Sequence, residues 1–217
     1  MTKTGEAARP TPVGAEETIT EWLITHQKTL IIGAIVLAAA GGGGWLWQRS
    51  AQIKETRAAE ALQGAEAAFS AGNMPLAQVE LGKITTRYAG TAAGTQAAMM
   101  MAQTLFDEGK FAEGIAQLQP ATGTAPKTLR AGVHALIAGG LEGEGKPAEA
   151  AVAYATAAGA AQFKLDGQMY RMESARTLVA AGDATAARVI LEAISVLEDS
   201  PFAGEAKVRL GELLAKK

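Results

Sequence analysis

Residues 108–121 read EGKFAEGIAQLQPA, a glycine turn followed by an apolar pattern of helical period. Three other stretches align with it: AGNMPLAQVELGKI at 71–84, EGKPAEAAVAYATA at 144–157 and AGDATAARVILEAI at 181–194. Their first glycines, Gly72, Gly109, Gly145 and Gly182, recur every 36 or 37 residues. A fixed period of this length predicts an array of stacked structural repeats.

Residue size follows the same period around each glycine. Alanine stands seven positions before it, a small residue five positions after it, and a bulky residue nine after it. We interpret the glycine as the left-handed residue that ends one helix, with a second helix beginning two or three residues later. Pro75 and Pro147 suit the first turn of that second helix. The small residues let the two helices cross closely, and such hairpins must stack to bury their apolar faces.

Composition supports an all-α fold. Alanine is frequent, only 5% of the residues are aromatic, and regular β-branched alternation is scarce. Lys and Arg number 20 against 22 Asp and Glu, a net charge of −2, which gives no broad attraction for nucleic acid. Cysteine is absent, and this excludes disulfides, thiolate metal sites and a cysteine nucleophile.

A long uncharged segment precedes the repeats. Residues 29–48, TLIIGAIVLAAAGGGGWLWQ, lie between Lys28 and Arg49 without one charge. As a helix these residues would reach about 30 Å, the thickness of the hydrocarbon core of a bilayer. In lipid the glycine run must be helical, because each peptide group there needs a partner within its own helix. We therefore predict a single transmembrane helix.

The span has features of a packing surface and of membrane anchoring. Small residues at helical spacing predict a strip on which another transmembrane helix of a membrane-protein complex could lie. Tryptophans near the ends suit the headgroup region. The predicted packing residues are Ala34, Ala38, Gly42, Ala40 and Gly44, and the predicted interface residues are Trp22, Trp45 and Trp47.

Two alternatives to a span stay open. A cleaved signal peptide would use Ala38-Ala39-Ala40 as its exit, but its leader would carry several glutamates. A buried helix of a soluble protein would also accept this glycine-diluted segment. The positive-inside rule predicts orientation from the basic residues on each side of the span, which are Lys3, Arg9 and Lys28 before it and Arg49, Lys54 and Arg57 after it. This count slightly favours a cytoplasmic location for the residues that follow the span.

These patterns divide the chain into four regions. Residues 1–17 lack apolar periodicity and are predicted to be a disordered tail. Residues 18–49 form the transmembrane helix with its flanks, beginning at a capping box of Thr18 and Glu21. Residues 50–200 hold the helical repeats. Residues 201–217 form a C-terminal capping helix with Ser200 as its cap.

No set of residues predicts catalysis, a cofactor or a metal ion. Residues 140–146, GLEGEGK, fit the start of a phosphate loop, but Pro147 follows where Ser or Thr is needed, and a helix precedes instead of a strand. The simpler interpretation is a turn between two helices. His26 and His134 have no second ligand at helical spacing, and His26 is predicted to lie at headgroup level. We expect no enzymatic activity.

The repeat register resembles the tetratricopeptide repeat (TPR) family, whose helix-turn-helix unit has small residues at these positions and a glycine in its turn. The resemblance covers residues 58–200, with repeats two or three residues longer than usual and without the Trp, Leu-Gly and Tyr of the first helix. It implies an α-solenoid of about four degenerate hairpins whose first helices line a concave, protein-binding or peptide-binding face. The implied residues are Leu62, Glu66, Phe69, Met99, Gln103, Phe106, Glu142, Met172, Arg176 and Val179.

The complete layout of tail, span and repeats resembles the ancillary subunits of the bacterial Sec translocon. This resemblance implies a single-pass protein of the bacterial inner membrane, with a periplasmic repeat domain. The implied function is an adaptor or chaperone-like accessory subunit of a membrane machine. The alternative is a structural scaffold subunit that stabilises another inner-membrane complex, such as an energy-transducing one.

Overall fold

The computed structural model describes residues 15–215, except for the side chains of residues 15–21, 23, 30, 34, 35 and 38–40. The described residues form nine α-helices and no strand. The helices are α1 (Ala15–Ser70), α2 (Met74–Arg87), α3 (Ala92–Asp107), α4 (Phe111–Thr124), α5 (Lys127–Gly143), α6 (Pro147–Ala160), α7 (Lys164–Ala180), α8 (Ala184–Ser195) and α9 (Ala203–Ala215). The all-α prediction is confirmed. The predicted tail falls mainly on residues 1–14, outside the described residues.

The chain divides into two compact units, residues 1–52 and 53–217. Helix α1 contributes to both, and Gly41 to Gly44 are helical within it. The helix begins at Ala15, three residues before Thr18, so Thr18 is an interior residue and not the predicted N-cap. Among the residues that the structure describes, no helix is both long and apolar enough to cross a bilayer.

Four glycine turns join the helices of the second unit into hairpins, as the sequence predicts. Gly72, Gly109, Gly145 and Gly182 have φ angles of 74°, 76°, 71° and 84°. After Gly109, the N–H of Lys110 donates to the carbonyl of Leu105 at 2.8 Å, and the other three turns repeat this bond at 2.9–3.0 Å. Each turn thus satisfies carbonyls at the end of one helix, and the next helix begins two residues after the glycine.

The small and bulky positions of the repeat pack as predicted. The alanines seven positions before each turn glycine, Ala65, Ala102, Ala138 and Ala175, are completely buried. Of the small residues five positions after it, Ala77, Ala150 and Ala187 are at most 1% exposed, and Gly114 is also buried. Leu81, Leu118 and Leu191 fill the bulky position in the core, whereas Tyr154 is half-buried.

Phe106 joins the middle hairpins through contact with two glycines. A Cβ added at Gly140 would stand 2.6 Å from Cζ of Phe106 and 2.8 Å from Cγ1 of Ile115. A Cβ added at Gly114 would meet the same ring and the carbonyl oxygen of Ala102, the latter at 2.9 Å. The absence of a side chain at Gly114 and Gly140 therefore makes room for the aromatic ring between α3, α4 and α5.

The last helix covers the fourth hairpin, but it begins later than predicted. The Ser200 hydroxyl accepts a hydrogen bond from the N–H of Phe202 at 3.2 Å and donates to Oε1 of Gln168 at 2.9 Å. This pairing holds residues 200–202 as a turn, and α9 starts at Ala203. Leu210 and Leu213 pack against the buried cluster of α7 and α8, as a covering helix requires.

Candidate protein-binding face

The first helices of the four hairpins, namely the end of α1 and helices α3, α5 and α7, carry the residues implied for a concave face. Three of these residues belong to the core and are closed to a partner: Leu62, Phe106 and Met172 are 6%, 9% and 2% exposed. The others reach the surface at least in part. Exposed or half-buried positions are Glu66, Phe69, Met99, Gln103, Glu142, Arg176 and Val179.

Exposure follows the position of a residue relative to the turn glycine. Six positions before it, Glu66, Gln103 and Arg176 are all exposed. Three positions before it, Phe69 and Val179 are each 40% exposed, whereas Phe106 is held in the core by its contacts with glycines. At these two positions every hairpin presents a residue that is exposed or half-buried, except for Phe106. We define the A-helix face as the exposed residues Glu66, Phe69, Gln103, Arg176 and Val179 and the half-buried Glu142.

A polar network links α5, α6 and α7 on this face. Arg176 donates from Nη2 to Glu142 at 2.8 Å and from Nε to Glu173 at 2.7 Å. The Tyr154 hydroxyl donates to the same Glu142 carboxylate at 2.9 Å. Burial of the phenol, followed by its bond to Glu142, raises the pKa of Tyr154 to about 12. Burial alone would lower the pKa of Arg176, but its bonds to Glu173 and Glu142 outweigh burial and raise it.

Because these polar groups bind one another, Arg176 is not a free cation waiting for a ligand. A charge reversal at Arg176 would place three carboxylates together. Its first effect would be on the stability of the fold, so the variant would not report on binding alone. Glu66 and Gln103 are better probes. Glu66 is exposed with no described ion pair, and Gln103 bonds only to Asp107 of its own helix, at 3.0 Å.

A groove of about 200 Å³ opens between α7, α8 and α9. Its floor is apolar, formed by Ala175 and Leu191, which are 0% and 1% exposed. Its rim is polar and includes Arg176 and Arg209, the latter paired with Glu205 at 2.6 Å. The complete lining is Ala175, Arg176, Val179, Leu191, Arg209, Glu212 and Leu213. An apolar floor with a charged rim can accept an apolar side chain and orient the backbone that carries it.

The C-terminal contribution to this groove was not predicted. Arg209, Glu212 and Leu213 lie on α9, which the sequence indicated only as a cover for the last hairpin. Leu213 does cover the core, but Arg209 and Glu212, one turn apart on α9, line the groove. The signal available in the sequence was the pairing of Glu205 and Arg209, four residues apart, which points to one ordered helical surface.

Residues 140–146 form the end of α5 and a turn, as the helix-turn interpretation predicts. Lys146 is paired with Glu144 at 3.0 Å. His134 is half-buried, and burial, with a smaller effect of Arg130, lowers its pKa. Among the described residues no group of three His, Asp or Glu side chains is placed to hold a metal ion.

The predicted membrane residues lie on α1. Trp22, Trp45 and Trp47 are 54%, 57% and 77% exposed. Trp22 stacks on His26 with ring centroids 4.7 Å apart, and the Arg49 guanidinium lies 5.2 Å from the Trp45 ring centroid. A Cβ at Gly42 or Gly44 would meet no described atom within 4 Å. The side chains of Ala34, Ala38 and Ala40 lie outside the described ones.

Sequential hairpins with left-handed glycine turns and small crossing residues define a class of protein, the α-solenoid of helical repeats. The sequence profile described as "Tetratricopeptide repeat-like domain" matches residues 20–165, and the chain belongs to this family. Comparison with curated proteins gives no match. The hairpin of α7 and α8 lies almost wholly beyond the matched residues, yet its turn repeats the geometry of the other three. A TPR-like domain implies interaction with proteins, and this is the function that the fold supports.

Proposed function

We propose that the chain is a membrane-anchored adaptor that binds a protein through its A-helix face, as an accessory subunit of a translocon-like machine. The observation that carries the binding half is the groove between α7, α8 and α9, where an apolar floor meets a charged rim. It accommodates an apolar segment of a partner. The described lining of this groove offers no free cation to an acidic tail, because Arg176 and Arg209 both bind glutamates.

The anchoring half rests on residues 29–48. They carry no charge, and their described large apolar side chains are exposed, among them Ile31, Val36 and Leu37 at 57%, 60% and 75%. Glycine dilutes the apolar character of the segment without adding a polar side chain. Insertion of this segment into the bilayer would remove these apolar side chains from water. The anchor would hold the repeat domain at the bacterial inner membrane, on the periplasmic side by the layout resemblance.

A structural scaffold subunit is the second candidate. It is favoured by the open surface at Gly41 to Gly44, where a Cβ would meet no described atom and where a helix of a partner could approach closely. In this role the span would be a permanent interface, and the repeat domain would brace the complex.

Purification of the full chain in mild detergent separates the two roles. A fixed-ratio complex that survives dilution indicates a scaffold, whereas partners that exchange with added competitor indicate an adaptor. Leucine at Ala38 and Gly42 would disrupt a scaffold interface. The matched control is leucine at Gly33. This residue stands about two and a half turns before Gly42 and therefore lies on the opposite side of the helix.

For the adaptor, the A-helix face is tested with Glu66→Arg and Gln103→Arg together. We expect the recovered partner to fall about tenfold, which corresponds to a loss of roughly 1.4 kcal/mol in binding free energy. Glu113→Arg with Gln119→Arg makes the same chemical changes at exposed positions of α4, a second helix of its hairpin, and should leave recovery unchanged. Equal recovery from both double variants would refute binding through the α1 and α3 part of the A-helix face.

A further inference from the structure

The loops that join one hairpin to the next lie on one edge of the repeat unit, opposite the four glycine turns. We call this the loop edge; it comprises residues 87–91, 125–130 and 161–166 around the first three loops, together with residues 53–57 of α1, which contact the first loop and the start of α3. The chain enters the repeat unit here. Lys54 of α1 donates to the carbonyl of Ala89 at 3.0 Å. The Glu55 carboxylate accepts from the N–H groups of Ala92 and Ala93, at 3.0 and 3.2 Å, at the start of α3.

The loop edge is basic. Its exposed cations form no ion pair with any described residue; they are Lys54, Arg57, Arg87, Lys127 and Lys164. The acids within the same ranges are less available, since Glu55 is occupied by the start of α3 and Asp166 is half-buried. The final loop, residues 196–202 between α8 and α9, differs in charge because its Glu198 and Asp199 are exposed. The basic character therefore belongs to residues 53–57 of α1 and to the first three loops.

The opposite edge has the reverse charge. Lys110 and Lys146 are each paired with a glutamate of their own turn, Glu108 at 2.7 Å and Glu144 at 3.0 Å. The unpaired charges that remain near these turns are mostly acidic: Asp107, Glu113, Glu149 and Asp183. Both pairs neutralise the cations of this edge, so the two edges of one domain present opposite fields.

Apolar side chains interrupt the basic loop edge. Phe163 is 69% exposed and Leu165 is 50% exposed, on either side of the exposed Lys164. Both stand where α6 gives way to α7. An exposed phenylalanine next to lysine is suited to a bilayer surface, where the ring can enter the interface while the ammonium group meets an anionic headgroup.

We propose that the loop edge rests on an anionic bilayer surface, with Phe163 and Leu165 in the interfacial region and the basic residues on lipid phosphates. This inference rests on the proposed anchor: a span that ends at Gln48 leaves only residues 49–52 before the loop edge. Anionic lipid is the occupant that fits both the cations without an ion pair and the apolar side chains beside them. The glycine-turn edge, which is acidic, then points away from the bilayer.

A lipid-depth measurement on the full chain tests the contact. The sequence has no cysteine, so Phe163→Cys takes a single environment-sensitive dye, and Ala112→Cys, exposed beside the Gly109 turn, is the matched position on the other edge. Each labelled chain is reconstituted into vesicles that contain phosphatidylglycerol and no other protein. Spin-labelled lipid in these vesicles should quench the dye at residue 163 at least twofold more than the dye at residue 112. Equal quenching would overturn the proposal and would leave this edge to water or a protein.

Charge variants then identify the cause. The triple change Arg87→Glu, Lys127→Glu and Lys164→Glu should abolish the excess quenching at residue 163, as should high salt. Lys110→Glu, Lys146→Glu and Arg188→Glu, at exposed positions near the glycine turns, change the net charge equally and should preserve it. Flotation with neutral vesicles at high salt shows whether the anchor inserts, independently of any contact of the loop edge with anionic lipid. A chain that floats while its residue-163 dye stays unquenched refutes the loop-edge contact alone; a chain that does not float refutes the anchor.

Discussion

A full-length chain with aspartate at both Val36 and Leu37 is expected to leave the membrane fraction. Both side chains are largely exposed on α1, at 60% and 75%, so the substitutions break no described packing. Each aspartate near the centre of a span costs roughly 3 kcal/mol for insertion. Two of them therefore lower membrane partition by about four orders of magnitude.

The measurement is alkaline extraction of membranes followed by flotation of the chain. Val79→Asp with Val152→Asp is the control, since both valines are exposed on the repeat unit, at 54% and 67%. The control variant should float as the unmodified chain does. If the Val36 and Leu37 double variant also floats, residues 29–48 do not anchor the protein, and the repeat domain must act without a span.

Leucine at Gly140 is expected to destabilise the middle of the repeat unit by about 3 kcal/mol. Its Cβ alone would stand 2.6 Å from the Phe106 ring and 2.8 Å from Ile115, and the rest of the side chain has no space to enter. Phe106 would have to leave the crossing of α3, α4 and α5. Because neighbouring hairpins stabilise one another, the loss should spread beyond one repeat.

Gly139 provides the matched control in the same helix. A Cβ there would meet no described atom within 4 Å, so leucine should be neutral or stabilise the helix by up to about 1 kcal/mol. Urea unfolding of each variant in the same detergent, monitored by far-ultraviolet circular dichroism, gives the two unfolding midpoints. The Gly140 variant should unfold at a clearly lower urea concentration than the Gly139 variant. Equal midpoints would mean that Phe106 does not depend on this close approach.

The sequence predicts the hairpins well because their requirements are local. A left-handed residue must end each first helix, and Gly182 satisfies this even in the hairpin that lies mostly beyond the family match. Small residues must stand where helices cross, and Ala65 and Ala187 are completely buried as a result. Both signals repeat with one period, so each hairpin supports the interpretation of the others.

The binding face is less predictable because exposure depends on contacts between hairpins. Leu62 and Met172 occupy the same position, ten residues before a turn glycine, and both enter the core. Phe106 matches Phe69 in position, yet only Phe106 finds glycines on two neighbouring helices to pack against. Glu55 likewise binds the start of α3 from 37 residues away, a partner that no local pattern indicates.

Site-specific photo-crosslinking in native membranes tests the central claim that the A-helix face of a membrane-held repeat domain binds a protein. The photoreactive residue is placed at Phe69 or Val179 on this face, and at Val152 or Val189 on the second helices as controls. The controls are the more exposed pair, 67% and 63% against 40% for each test position, so exposure alone favours them. We expect a discrete protein adduct from Phe69 and Val179 and none from Val152 and Val189. Adducts from the control positions alone, or from none of the four, would contradict it.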